Sequence, residues 1–176
     1  MTVGLGTFLL LDPTWAAYQE PVLINQIAID PLDHNLMYAA ARPQGVLKSS
    51  DRGQTWRPAR NGLTNTSAYH IVINPKDSKI LYLGTFGGGV YKSENRGEDW
   101  FEVNQGLGNT NIHTLAINPL KPDQLIVSTS TGELFVSDDA GKNWKPFNEG
   151  LPPFPGEVFP TIKIYPKDPG GYFLVQ

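Results

Sequence analysis

The sequence predicts an all-β propeller assembled from four-stranded antiparallel units, and three observations lead to it. An eight-residue segment of the form S-x-[DN]-x-G-x-x-W occurs three times, starting at Ser49, Ser93 and Ser137, with a constant spacing of 44 residues. Other landmarks keep the same spacing: Asp30-Pro31, Asn74-Pro75 and Asn118-Pro119 form one set, and Gly62-Leu63, Gly106-Leu107 and Gly150-Leu151 another. Between these landmarks lie short apolar runs bounded by turn residues, and no stretch sustains a helical period. A fixed repeat of this length is the signature of stacked supersecondary units, and about 40–50 residues is the range of a propeller blade.

Composition agrees. Of the 176 residues 40% are hydrophobic and 18% charged, the balance of an ordinary globular chain, while 18 glycines and 15 prolines supply many turns. A net charge of −3 gives no reason to expect nucleic acid as a partner. No cysteine is present, which removes disulfides and thiolate metal sites. No apolar run approaches the roughly 20 residues that span a bilayer, so membrane insertion is not expected. Met1–Leu11 is apolar without a basic start or a small-residue cleavage site, and does not read as a signal peptide.

Within each unit the first strand covers Ile24–Asp30, Tyr69–Asn74 and His113–Asn118. Ile27, Ile71 and Leu115 share one face with Ile29, Ile73 and Ile117, and Ala28, Val72 and Ala116 take the other. Two apolar faces predict burial on both sides. An Asx-Pro turn follows, then a second strand such as Ile80–Phe86, a third such as Val90–Ser93, and a fourth that leaves through the tryptophan of the motif. Blades are expected at about 24–67, 68–111 and 112–155. A composite fourth blade is expected from 156–176 together with 1–23, because Thr161–Tyr165 and Tyr172–Gln176 read as two strands and Thr7–Leu11 with Asp12-Pro13-Thr14-Trp15 as two more. About four blade equivalents result, closed within one chain, by self-association, or inside a longer protein.

The residue types of the motif answer a backbone problem. A tight turn between third and fourth strands strands several N–H groups away from any ladder. Asp51, Asn95 and Asp139 fold back to accept from them, and Ser49, Ser93 and Ser137 add a second acceptor. Gly53, Gly97 and Gly141 take a left-handed backbone position, and Trp56, Trp100 and Trp144 offer large flat surfaces to the neighbouring unit. All twelve roles are structural.

These segments resemble Asp-boxes, also called bacterial neuraminidase repeats. The wider unit, from Ile71-Val72-Ile73-Asn74-Pro75 through Gly89-Val90-Tyr91-Lys92-Ser93 to the box, is similar to blades of sortilin-type receptors, xyloglucan-cleaving glycosidases and the photosystem II assembly factor of cyanobacteria and plastids. The resemblance covers residues 24–151 and implies the propeller fold. It implies an extracytoplasmic location, periplasmic, lumenal or secreted, and leaves function open among hydrolase, receptor and assembly factor.

Catalysis is not expected from the residues. Glycoside hydrolysis needs two carboxylates about 5–9 Å apart across a sugar, whereas Asp30, Asp33, Asp77 and Asp123 fall in turns after the first strand, where they cap backbone. The three converging arginines and tyrosine nucleophile of a sialidase have no counterpart, since Arg52 and Arg96 repeat one box position in different units. His34, His70 and His113 share no ligand spacing, and strand alternation sets His70 and His113 on opposite faces, so neither metal nor cofactor is expected. Gly87-Gly88-Gly89 lacks the lysine of a phosphate loop and reads as the link between second and third strands. The expected activity is therefore binding: a protein-binding or scaffold module, with a carbohydrate-binding or glycosidase-related propeller as the alternative. Phe86, in a loop whose composition differs between repeats, and the basic group Arg42, Arg57 and Arg60 are the candidate partner contacts. An acidic protein suits such a group, and polysaccharide is the alternative ligand.

Overall fold

The computed structural model describes residues 21–149, 162–164 and 174–175. Its elements are strands throughout, with no helix among the described residues. The first sheet comprises β1 (Leu23–Ile29), β2 (Met37–Arg42), β3 (Gly45–Ser49) and β4 (Arg57–Pro58). The second comprises β5 (Ala68–Ile73), β6 (Leu81–Thr85), β7 (Gly89–Ser93) and β8 (Phe101–Glu102). The third comprises β9 (Ile112–Ile117), β10 (Leu125–Thr129), β11 (Leu134–Ser137) and β12 (Lys145–Pro146). Each sheet is a four-stranded antiparallel meander in sequence order. A fourth unit begins as a two-stranded pair, β13 (Ile162–Lys163) with β14 (Leu174–Val175). Three complete blades lie among the described residues, and this pair is the part of the expected fourth that they include. The N-terminal half of the expected composite blade lies outside the described residues.

Local chemistry sets each turn. After every first strand the Asx side chain caps the backbone two and three residues on. Asp30 Oδ1 accepts from Leu32 N at 2.8 Å and Asp33 N at 3.1 Å, Asn74 Oδ1 from Lys76 N at 2.9 Å and Asp77 N at 3.3 Å, and Asn118 Oδ1 from Leu120 N at 3.0 Å and Lys121 N at 3.2 Å. In each box the serine hydroxyl accepts from the glycine N–H, at 2.8, 2.9 and 2.9 Å in chain order. The Asx oxygen accepts from the N–H four residues on, at 2.9 Å in all three. Asn95 reverses one bond. Where Asp51 Oδ2 accepts from Thr55 Oγ1, the Asn95 amide donates to Asp99 Oδ2 at 2.7 Å. The residue before each glycine, Arg52, Arg96 or Ala140, also has positive φ, near 61–62°. The turn therefore uses two successive left-handed residues, and glycine fills only the second.

The core lies between sheets. One cluster joins Tyr38, Ala40 and Val46 of the first sheet to Ile71, Leu83, Tyr91 and Trp100 of the second. Another joins Tyr82 and Val90 of the second to Ile112, Leu115, Val127, Phe135 and Trp144 of the third. Polar latches repeat at both junctions. Tyr38 Oη donates to Arg96 O at 3.1 Å and Tyr82 Oη to Ala140 O at 3.3 Å, while Trp100 Nε1 donates to Ala59 O at 2.9 Å and Trp144 Nε1 to Val103 O at 2.7 Å. Gly62 and Gly106 lie so close under the carbonyls of Trp100 and Trp144 that a Cβ on either would overlap the oxygen.

The first strands depart from expectation. Second and third strands, not first, are buried along their length. Ala28, Val72 and Ala116 are only half-buried, because the first strands lie side by side and line a groove rather than a packed layer. The prolines of the three Asx-Pro turns edge the same groove, whose volume is about 430 Å³.

Candidate functional site

The sheets have two ends. At one lie the Asx-Pro turns, the boxes and the apolar groove. At the other lie the loops between second and third strands, and there the aromatic and basic residues gather.

Arg42 ends β2, and its guanidinium carbon sits 4.3 Å over the ring of Tyr69 on β5. Its Nη1 donates to Tyr69 Oη at 2.6 Å and its Nη2 to Asn25 Oδ1 at 3.3 Å. Asn25 in turn donates to Ala68 O at 2.7 Å, so the first sheet is stitched to the second through this group. Tyr69 also neighbours Phe86, with ring centroids 5.9 Å apart and planes tilted by 32°. Tyr69 thus contacts both the guanidinium of Arg42 and the ring of Phe86, through a cation–π and an aromatic contact. Phe86 keeps 46% of its surface exposed.

Phe86 is fixed by its backbone as well. Its N–H donates to Ser67 O at 2.9 Å, its carbonyl accepts from Asn65 Nδ2 at 3.2 Å, and it bridges to Asn111 of the third sheet. Gly87 N and Gly89 N both donate to Thr110 O, at 3.1 and 2.9 Å. The glycine run is therefore the clamped link between β6 and β7. Asn65, a formal glycosylation acceptor, spends its side chain on this clamp, with Oδ1 accepting from Ser67 N at 2.8 Å.

Of the four sequence-expected contacts, Phe86 and Arg42 come together through Tyr69. Arg60 points to the same end, with Nη1 3.5 Å from Gln44 Oε1. Arg57 lies nearer the box end, paired with Glu98 of the second sheet at 2.5 Å. Glu98 also takes Lys48 at 2.7 Å, and these two cations hold its carboxyl below the usual range, Arg57 most of all. The arginines therefore do not form one patch. Tyr69 and Asn25 escaped the sequence reading. They share a column with His113, a position that reads Asn, Tyr and His in successive repeats while the position before it stays apolar, and that variation was the available signal.

A bulge between Ala68 and His70 shifts the register of β5. Burial first, and the charge of His113 second, lower His70 to about 4. Burial also lowers His113. No group of three potential metal ligands occurs among the described residues, and no helix there is long and apolar enough to cross a membrane.

Residues 88–175, half of the chain, match the family model Sortilin-Vps10, described as sortilin, neurotensin receptor 3. The chain belongs to the Sortilin-Vps10 family. Its boxes and four-stranded sheets are those of an Asp-box β-propeller, the architecture of that family. Comparison with curated proteins gives no match.

Solved propellers are similar in fold. The GH74 xyloglucanase from Xanthomonas campestris aligns with a TM-score of 0.60 and 24% identity over 74% of this chain and 24% of its own. An auxiliary nutrient binding protein from Bacteroides thetaiotaomicron aligns at 0.63 with 15% identity, over 86% of this chain and 36% of its own. YCF48 from Cyanidioschyzon merolae aligns at 0.57 with 19% identity, over 71% and 37%, and a YCF48 structure bound to D1 peptide aligns at the same score with 15% identity, over 70% and 38%. The neighbours include enzymes and binding proteins alike, and the chain spans well under half the length of each.

Proposed function

We propose that this chain is part of a non-catalytic propeller that binds a partner protein, as an accessory or assembly subunit of a larger complex, and that it does so through the surface centred on Phe86. The observation that carries this reading is the half-exposed Phe86 ring, packed beside Tyr69 and clamped by backbone bonds to two sheets. An aromatic ordered before binding loses little conformational freedom on contact, which is the property of a binding anchor. Arg60 lies at the same end and adds positive charge at the rim, suited to an acidic partner. Support comes from the receptor in the family's description and from the YCF48 structure with a bound peptide.

A carbohydrate ligand is the second reading. The exposed ring of Phe86 favours it, since a sugar stacks on an aromatic face, and the fold is shared with a xyloglucanase.

One experiment separates the two. The tagged chain, its Phe86→Ala variant and the control Phe101→Ala, which alters an equally exposed ring on β8, are used to capture protein from an extract of the native host. A protein retained in stoichiometric amount by wild type and Phe101→Ala and lost with Phe86→Ala supports the proposal. Retention of xyloglucan in affinity electrophoresis, lost with the same variant and without protein capture, replaces it with the second reading.

A further inference from the structure

Asn65, Asn104 and Asn109, all at the Phe86 end of the sheets, spend their side chains on the fold. Asn65 donates to Phe86 O at 3.2 Å and accepts from Ser67 N at 2.8 Å. Asn104 donates to Gly88 O at 2.9 Å and accepts from Val90 N at 2.7 Å. Asn109 donates to Thr131 Oγ1 at 3.0 Å and accepts from Asn111 N at 2.9 Å. Asn111 is different. Its main chain is satisfied, the N–H by Asn109 and the carbonyl by Ser130 N at 2.9 Å. Asn111 is half-buried, and its side-chain amide makes no hydrogen bond among the described residues.

Pairing sets that amide beside the exposed ring. Phe86 and Asn111 form an isolated antiparallel bridge, with Gly87 N donating to Thr110 O at 3.1 Å. Residues opposite one another in an antiparallel pair send their side chains to the same side, with Cβ atoms about 4.5–5.5 Å apart. Asn111 Oδ1 also lies 3.9 Å from the place that a Cβ on Gly87 would take. Gly87 is exposed and lacks that atom, so a chain can approach closely next to the ring and the amide. The corresponding positions one repeat earlier are Arg42 and Ser67, which supply neither a ring nor an amide.

We propose that Asn111 reads the main chain of what the Phe86 surface binds. An extended peptide segment of the partner crosses Gly87, one of its peptide groups pairs with the Asn111 amide, and an apolar side chain of the segment covers Phe86. This rests on the protein-binding reading above and names the form in which the partner is held. A side-chain amide carries an acceptor oxygen and a donor nitrogen, the complement of the N–H and C=O of a peptide group. In extended-peptide recognition such main-chain bonds give affinity, and side-chain contacts like that on Phe86 give selectivity.

A phage library of random peptides, selected on the full chain and counter-selected on Phe86→Ala, supplies the probe. The strongest binder is resynthesised with each backbone amide N-methylated in turn, and each version is titrated calorimetrically against wild type and Asn111→Leu. One N-methyl position is expected to weaken wild-type binding by about tenfold, the loss of one hydrogen bond. The same methyl group should cost Asn111→Leu no more than about twofold, because the acceptor of that N–H is already gone. If Asn111→Leu loses the wild-type far-UV circular dichroism spectrum, Asn111→Ala carries the same test. N-methyl penalties equal in wild type and variant at every position overturn the role of Asn111, while capture by Phe86→Ala still decides the protein-binding reading separately. Failure to select any peptide that Phe86→Ala releases overturns it too. So does xyloglucan retention lost in Asn111→Leu with no peptide selected, which assigns the amide to a sugar.

Discussion

Replacing Trp100 with phenylalanine removes a bond that joins two sheets at a side chain only 3% exposed. The lost partner, Ala59 O, stays buried beside the smaller ring. An orphaned buried acceptor costs about 1–3 kcal/mol, and the reduced apolar area and residual space add about 1 kcal/mol. Trp100→Phe should therefore lose about 2–4 kcal/mol, and Trp144→Phe, which breaks the equivalent 2.7 Å bond to Val103 O, about the same. Trp56→Phe breaks only a bond within its own half-exposed box, where water can replace the acceptor, and should lose under about 1 kcal/mol. Urea unfolding followed by far-UV circular dichroism measures all three, at about 1 µM protein so that association does not contribute. With a slope of about 2 kcal/mol/M, the first two variants should lower the midpoint by about 1–2 M and the third by less than about 0.5 M. Equal shifts for the three variants would refute the view that the box tryptophan acts by latching onto the preceding sheet.

Four further outcomes follow from the same geometry. Gly106→Ala places a Cβ against Trp144 O at a φ of 88°, so it should destabilise by at least about 3 kcal/mol, and a thermal midpoint close to wild type would contradict the close approach. Asp30 is fully buried with Oδ2 lacking any partner, where the next two repeats carry asparagine; Asp30→Asn should raise stability by about 1 kcal/mol in the same urea assay. The carboxyls of Asp51 and Asp139 are held down at about 2, chiefly by the side chains of Thr55 and Asn143. Depressed groups stabilise above their unfolded value of 3.8 and lose that contribution as pH falls toward 2. The Asp51→Asn/Asp139→Asn variant should therefore show a flatter fall in thermal midpoint between about pH 4 and 2 than wild type. Phe86→Ala should leave the unfolding free energy within about 1 kcal/mol of wild type in the urea assay, because the ring is half-exposed, while abolishing partner capture.

The repeat made most of the fold legible. A spacing of 44 that never varies places each box and Asx-Pro turn at the same point of each sheet, and the local bonds of Asp51, Asn95 and Asp139 follow from side-chain chemistry alone. What depends on packing between repeats was less visible. The first strands look buried on both faces because Ala28, Val72 and Ala116 are apolar, yet they line a groove, and only the arrangement of whole sheets decides that. The left-handed residue before each box glycine, Arg52, Arg96 or Ala140, has no compositional mark, since arginine and alanine both occupy it. The bulge between Ala68 and His70 breaks strict alternation in β5. For the candidate site, Phe86 and Arg42 could be picked from the sequence as conspicuous loop residues. Tyr69, which joins them, sits inside a strand and is connected to Arg42 only by the contact of neighbouring sheets. Arg57 looked like part of a basic group with Arg42 and Arg60, but the strand turns it toward Glu98 of the next sheet.

The most direct test of the binding account is photo-crosslinking from a benzoylphenylalanine placed at position 86, with position 101 as control, in an extract of the native host. The account predicts one defined protein adduct from position 86 and none from position 101. Adducts of equal yield from both positions, or a yield at position 86 that disappears when soluble xyloglucan is added, would contradict it.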